Sequence, residues 1–162
     1  MLKKFFLIAL LIPAFAYSST PQDLSFIEGN WRCVTESDIG KGTTLKMESV
    51  GTTSLQTLQS FSKVTYTMYK NQNPAKTSVI YIETSDNFII EDGLVKSYNY
   101  KKHSSKLIKD DLNMFTPKTV EWFAKGSGDK EFVSRVKQID DNNFIAIPVP
   151  DDGTTIPCSK VK

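Results

Sequence analysis

Hydrophobic and polar positions alternate with a period of two along most of the chain. Trp31, Cys33 and Thr35 share one face of the first such segment, and the segment 64–68 alternates in the same way. Period two is typical of half-buried strands, as is enrichment in Thr, Val and aromatic residues. Together these signals predict strands near 30–36, 43–50, 56–70, 77–84, 88–101, 130–139, 143–149 and 155–161. We therefore expect an all-β, antiparallel domain of about eight to ten short strands, a barrel or a sandwich.

Clusters of Gly, Asn, Asp and Pro separate the predicted strands. Turns are expected at 38–42, 71–74, 85–87, 140–142 and 151–153. The segment 88–101 is either one bent strand or two strands divided at Asp92-Gly93. No internal repeat or linker divides the remaining chain, which indicates one domain.

Two segments depart from the strand pattern. Thr20 followed by Pro21 predicts the start of a one- or two-turn helix that ends at Gly29. Thr116 precedes a proline, apolar residues follow at helical spacing, and Lys-Gly closes the segment, which predicts a short helix near 117–125. The alternation of charged and apolar residues in that segment also fits a strand.

The N-terminus has the features of a secretory signal peptide. Two lysines at positions 3 and 4 precede an apolar run over 5–12 and a small-x-small step that ends at Ala16. The run is too short for a bilayer, which needs about 20 residues. We expect cleavage of residues 1–16 and export of a soluble domain, 17–162, to the periplasm or the medium.

Charge reduces the number of expected partners. Removing Lys3 and Lys4 from the 20 basic side chains leaves as many as the 18 acidic ones, so the exported domain is formally neutral. A neutral domain has no overall field that would attract nucleic acid or an anionic membrane. We expect neither as a partner, and we expect a monomer.

The two cysteines, Cys33 and Cys158, stand near the two ends of the mature chain. In an oxidising compartment this pair predicts a disulfide, which brings the first and last strands together, as in a closed sheet. A redox pair or a thiol nucleophile is disfavoured because the cysteines are isolated and His103 is the only imidazole.

Gly29-Asn30-Trp31 after a short helical lead-in resembles the opening of the lipocalin and calycin superfamily. The resemblance implies an up-and-down barrel in which Trp31 closes one end and Lys160 packs across it by a cation–π contact. The arrangement FIEGNWRC near the start with IPCSK at the end also resembles small exported bacterial proteins with such a barrel.

No constellation of residues predicts catalysis or a metal. His103 lies in a lysine-rich segment that is expected to be an exposed polar turn, without a triad. One histidine and two disulfide-bonded cysteines do not make a zinc site, and the acidic turns lack the alternating spacing of a calcium loop. We expect no enzyme activity, no metal and no cofactor.

Charged residues are unevenly distributed in one lysine-rich segment. Tyr98 and Tyr100 stand among five lysines, which are Lys96, Lys101, Lys102, Lys106 and Lys109. The favoured interpretation is a solvated strand face that discourages edge-to-edge aggregation. The alternative is a site for an anionic polymer.

Two functions stay open. A carrier barrel would hold a small apolar or amphipathic ligand, in which case some inward-facing residues line a cavity; the candidates are Tyr66, Met68, Tyr81, Tyr98, Phe132 and Phe144. The alternative is an envelope interaction protein or an inhibitor of a secreted hydrolase, with a packed core. WFAKGSG at 122–128 resembles C-type lysozyme inhibitors, although a neutral domain is a poor match for a partner as basic as lysozyme.

Overall fold

The computed structural model describes residues 23–125 and 131–161. The predicted signal peptide, 1–16, and the predicted Thr20 cap lie outside the described residues. The elements in chain order are a 3-10 helix Ser25–Ile27, β1 Gly29–Asp38, β2 Thr43–Ser54, β3 Gln59–Lys70, β4 Asn73–Glu91, β5 Leu94–Asp110, α1 Pro117–Lys125, β6 Phe132–Asp140, β7 Asn143–Pro148 and β8 Ile156–Lys160.

The eight strands of the described chain form one closed antiparallel sheet. Each strand pairs with the next along the chain, and β8 pairs with β1. The predicted all-β, up-and-down architecture is confirmed, with the strand number at the lower end of the expected range. The sheet closes where Trp31 pairs with Lys160 and Cys33 pairs with Cys158.

Pairing is extensive in one half of the sheet and short in the other. β1 to β5 pair along most of their lengths, whereas β6 pairs with β5 only over residues 94–97. β8 pairs with β1 only from Trp31 to Cys33. The remaining edge of β5, residues 98–110, therefore has no described strand beside it.

Alternation along the strands separates an inner face from an outer face. The inner face carries the buried side chains, among them Val64, Met68, Ile80 and Ile82. Directly paired residues project to the same side of a sheet, and Val64 pairs with Ile82. Ile80 pairs with Tyr66, which therefore also faces inward.

Apolar residues fill the interior in two clusters. The first cluster, at the disulfide end, has seven buried members: Leu24, Ile27, Trp31, Phe88, Val136, Phe144 and Cys158. The second cluster joins Met68, Ile80 and Ile82 of the sheet to Phe115, which precedes α1, and Val120 of α1 packs against it. The 3-10 helix therefore contributes to one cluster and the α1 segment to the other.

The predicted helix near 117–125 is confirmed. The Thr116 hydroxyl accepts a hydrogen bond from the Thr119 backbone N–H at 3.1 Å, and Pro117 is the first helical residue. A capping hydroxyl and a proline at the first helical position are the expected features of a helix start. At the N-terminal end, the expected helix of one or two turns is a 3-10 helix of three residues.

The predicted turn at 85–87 is wrong. β4 runs through this segment as one strand of 19 residues, and the pairing with β5 shifts between Ser85 and Asn87. Between these pairs, two residues of β5 stand opposite the single residue Asp86 of β4. The polar segment therefore lies at a β-bulge, and both strands continue through it. Asn99 on β5 has φ of +54°, which places the irregularity beside it.

His103 is exposed as expected, but the expected turn around it is wrong, and so is the end of the preceding strand at Lys101. β5 continues to Asp110, and His103 lies inside it. Thr84 pairs with Lys102 and Glu83 pairs with Ser104, so His103 is the extra residue of a second bulge. The lysine-rich segment is therefore a strand here, because β4 pairs with it as far as Asp110.

Candidate binding site

The residues predicted to close one end of the sheet lie together. The Trp31 side chain is buried, its Nε1 donates to the Ile27 backbone oxygen at 2.9 Å, and its ring meets Phe144 edge-on at 4.7 Å. Lys160 Nζ lies 5.6 Å from the Trp31 ring centroid, so the predicted cation–π contact is present.

The disulfide predicted between Cys33 and Cys158 is also present. It joins β1 to β8 beside the pair of Trp31 with Lys160. Gly29 begins β1 with φ of +107°, a conformation that favours glycine, and a Cβ added to it would lie 4.0 Å from Lys160 Cε. Glycine, tryptophan, lysine and the disulfide therefore form one junction.

Three of the candidate cavity-lining residues are part of the packed interior. Phe144 belongs to the first cluster and Met68 to the second, and Tyr66 packs against the second. Burial is the main reason that the pKa of Tyr66 rises to about 12, and the nearby Tyr100 contributes.

The other three candidates do not line the interior in this way. Tyr81 pairs with Thr65 on the outer face, and its hydroxyl donates to Glu83 at 2.8 Å. Tyr98 pairs with Asn87 next to the inward pair of Phe88 with Ser97, so it also lies on the outer face. Phe132 has the inward parity but is 57% exposed, because it is the first residue of β6.

Tyr100 faces inward, although the sequence pattern marked it only as an aromatic residue among the lysines of β5. Burial raises its pKa, and a side-chain hydrogen bond with Thr84 opposes the change. The bulge at Asn99 reverses the alternation of β5, so Tyr98 and Tyr100 face opposite sides of the sheet. No sequence pattern marks this reversal.

A half-buried carboxylate anchors the α1 segment to the inner face. Asp110 at the end of β5 accepts a hydrogen bond from the Ser78 hydroxyl and from the backbone N–H groups of Met114 at 2.9 Å and Phe115 at 3.2 Å. Desolvation raises the pKa of Asp110, but these bonds together outweigh it and the net pKa is lowered.

A cleft of about 400 Å³ opens on the outer face of the sheet. Its base is a row of directly paired residues, one from each strand from β2 to β5: Thr52, Phe61, Ser85 and Lys101. Paired residues share a face, and this row alternates with the inward pair of Val64 and Ile82. The base of the cleft therefore lies on the outer face of the sheet.

Hydroxyl and amide groups form most of the lining. The neighbouring row brings Ser54, Gln59 and Asn87 to the cleft, and Asn99 reaches it from the bulge. Gln59 Nε2 donates to Asn87 Oδ1 at 3.4 Å. Asp86, the single acidic residue of the lining, pairs with Ser60 at an inward position, and its carboxylate accepts from the Ser60 hydroxyl there.

Phe61 and His103 form the aromatic part of the cleft. Their ring centroids are 5.8 Å apart with an angle of 33° between the planes, and His103 Nε2 is 2.8 Å from the Ser85 hydroxyl oxygen. Phe61 is 41% exposed. In the sequence, His103 stands out only as a catalytic candidate and Phe61 does not stand out, since nothing in the sequence links positions 52, 61, 85 and 101.

The five lysines of the β5 region differ in their partners. Lys96 forms an ion pair with Glu91, and Lys109 forms one with Asp111 at 2.6 Å. Lys101 lines the cleft and has no ion pair or hydrogen bond with any described residue. Lys101 is therefore the available cation of the cleft.

The part of the chain that the structure describes holds no group of three or more His, Cys, Asp or Glu side chains placed to bind a metal. Within the same residues, no helix is long and apolar enough to cross a membrane. No protein-family model and no curated protein matches this sequence.

Proposed function

We propose that this chain is an exported, lipocalin-like binding protein that takes its ligand on the outer face of a barrel with a packed interior. The observation that carries the proposal is the position of the cleft. It lies on the outer face across β2 to β5, whereas apolar clusters occupy the inner face at both ends of the sheet.

The packed interior argues against the carrier interpretation that the resemblance implies. Ligand cavities commonly enclose about 300 to 1,000 Å³ and are mostly apolar. Here Met68, Tyr66 and the α1 segment fill one end, and Trp31 with Phe144 fills the other. The apolar side chains that would line a carrier cavity contact one another instead.

Export is supported by the disulfide and by the signal-like N-terminus. The bond between Cys33 and Cys158 suits an oxidising compartment. We expect the mature protein to begin at Tyr17, which the intact mass of protein purified from the exported fraction measures directly. A mature protein that retains residues 1–16 would contradict export by cleavage.

Native mass spectrometry of the exported protein tests the proposal. We expect wild type and the Phe132→Ala variant to retain a small molecule that the Phe61→Ala variant lacks. Phe132 is a matched control because it is an exposed aromatic residue outside the cleft lining. Equal retention by all three proteins, with release only on unfolding, would place the ligand inside and contradict the proposal, as would a protein that carries nothing.

A second candidate function rests on the unpaired edge of β5. Over residues 98–110 this edge has no described strand beside it, and Leu107 and Ile108 are 41% and 53% exposed. An edge of this kind accepts an extended segment from a partner, and the lysines of β5 favour an acidic one. The protein would then be an envelope interaction protein or an inhibitor.

One pair of variants separates the two candidates. Ile108→Lys adds a charge to the exposed edge and leaves the cleft intact, and Phe61→Ala does the reverse. If a protein partner copurifies with Phe61→Ala but not with Ile108→Lys, the edge is the binding surface. The opposite pattern favours the cleft.

A further inference from the structure

The lining of the outer cleft indicates the chemistry of its ligand. Hydroxyl and amide side chains dominate it, together with the rings of Phe61 and His103 and one lysine that has no partner among the described residues. An apolar ligand would bury these polar groups without partners, which is unfavourable. A ligand rich in hydroxyl groups satisfies them, because each hydroxyl both donates and accepts hydrogen bonds.

Phe61 provides the surface on which such a ligand can stack. Its ring is part of the outer face and leans against His103, which is held by the Ser85 hydroxyl. A sugar ring carries an apolar face of C–H groups and a rim of hydroxyls, so it packs on an aromatic ring while its rim stays hydrogen-bonded. The amides of Gln59 and Asn87 stand in the neighbouring row.

Lys101 adds a requirement for negative charge. It lies in the same row as Phe61, two strands away, which corresponds to about 10 Å between the backbones. Asp86 pairs with Ser60 at an inward position and accepts from its hydroxyl, so its carboxylate does not face Lys101, which has no partner among the described residues. An anionic group on the sugar would form a charge-assisted hydrogen bond there.

We infer that the outer cleft binds a saccharide that carries a carboxylate, with a sugar ring on Phe61 and the carboxylate at Lys101. This inference rests on the proposed function, which makes the cleft the binding surface. It adds the chemical class of the ligand.

Calorimetric titration of the full mature protein with trigalacturonate and with neutral maltotriose tests the inference. We expect trigalacturonate to bind and to lose about tenfold in affinity in Phe61→Ala, since stacking is lost. Lys101→Gln should weaken trigalacturonate by about five- to tenfold and leave maltotriose unchanged. Thermal melts of each variant check that the fold is retained.

Two controls separate a specific site from general attraction. Phe132→Ala removes an exposed aromatic residue outside the cleft, and Lys106→Gln removes an exposed lysine of the same strand outside it. Neither should change trigalacturonate affinity by more than about twofold. Equal weakening by Lys106→Gln and Lys101→Gln would overturn the inference, as would equal binding of the acidic and neutral trisaccharides or no binding of either.

Failure of this inference is distinguishable from failure of the proposed function. If the ligand retained from the host is lost in Phe61→Ala but trigalacturonate does not bind, the cleft is the site and its ligand belongs to another class. If the retained ligand is insensitive to Phe61, the cleft itself is excluded.

Discussion

Removing the disulfide by the double substitution C33A/C158A should cause a large loss of stability. The bond joins residues with a sequence separation of 125. Closing a loop of that length in the unfolded chain corresponds to about 5 kcal/mol at 25 °C on the chain-entropy model. Whole domains are commonly stable by about 5 to 15 kcal/mol, so this loss is a large share of the total.

The structure adds a local reason for the effect. β8 pairs with β1 only from Trp31 to Cys33. Without the disulfide, few backbone hydrogen bonds would therefore keep β8 paired with β1. We expect β8 to lose protection in amide hydrogen exchange before β2 and β3, which pair along their whole lengths. The loss should be greatest near Cys158, which is buried in the first cluster.

Urea unfolding of the oxidised wild type and the double variant measures the change, with the reduced wild type as control. Reduction keeps both sulfur atoms and removes only the link, so reduced wild type and C33A/C158A should agree within about 1 kcal/mol. The denaturant dependence should steepen in both, because the unlinked chain exposes more surface. A loss below about 1 kcal/mol in both proteins would refute the closure argument.

Three further predictions concern the interior and the sheet register. Gly51→Ala places a Cβ 2.3 Å from the Phe61 backbone oxygen, so the free energy of unfolding should fall by roughly 1 to 3 kcal/mol in thermal or urea unfolding. An unchanged stability would contradict the pairing of β2 with β3. Burial raises the pKa of Tyr66 to about 12, so the unfolded state ionises first and the free energy of unfolding should fall by about 2 kcal/mol as pH rises from 10 to 12. Tyr66→Phe should remove this part of the pH dependence, and identical alkaline profiles would show that Tyr66 is exposed. Asp110→Asn should weaken the attachment of the α1 segment by about 1 to 3 kcal/mol, measured as faster amide exchange at Met114. Because the pKa of Asp110 is lowered in the fold, wild type should lose the same stabilisation as pH falls below the ordinary value of 3.8. Protection at Met114 that does not change with acid would count against the hydrogen bond.

The closure of the sheet could be predicted from a few residues that carry specific structural signals. Cys33 and Cys158 defined which strands meet, and the contact of Lys160 with Trp31 was implied by the resemblance to lipocalins, with which the parity of both residues agrees. The α1 helix was predictable for a similar reason, since Thr116 and Pro117 act within one turn.

The bulges of β4 and β5 were not predictable in the same way. Ser85, Asp86 and Asn87 have the composition of a turn, and only pairing with β5 keeps them extended. Each bulge reverses the alternation, so Tyr100 faces inward whereas Tyr98 does not. Face assignments made by counting residues therefore fail beyond a bulge.

The outer cleft could not be predicted because its residues are distant in sequence. Thr52, Phe61, Ser85 and Lys101 become neighbours only through the register of four strands. A shift of one residue in any pairing would move its member of the row to the inner face. Recognition of the cleft therefore requires the three-dimensional structure.

A crystal structure of the protein purified from the exported fraction of its own host tests the central claim most directly. The account predicts electron density for a retained ligand against the exposed ring of Phe61, between His103 and Asn87, with the side chains around Tyr66 in mutual contact. Ligand density enclosed between the Trp31 cluster and the Met68 cluster, with the outer cleft holding only solvent, would contradict it.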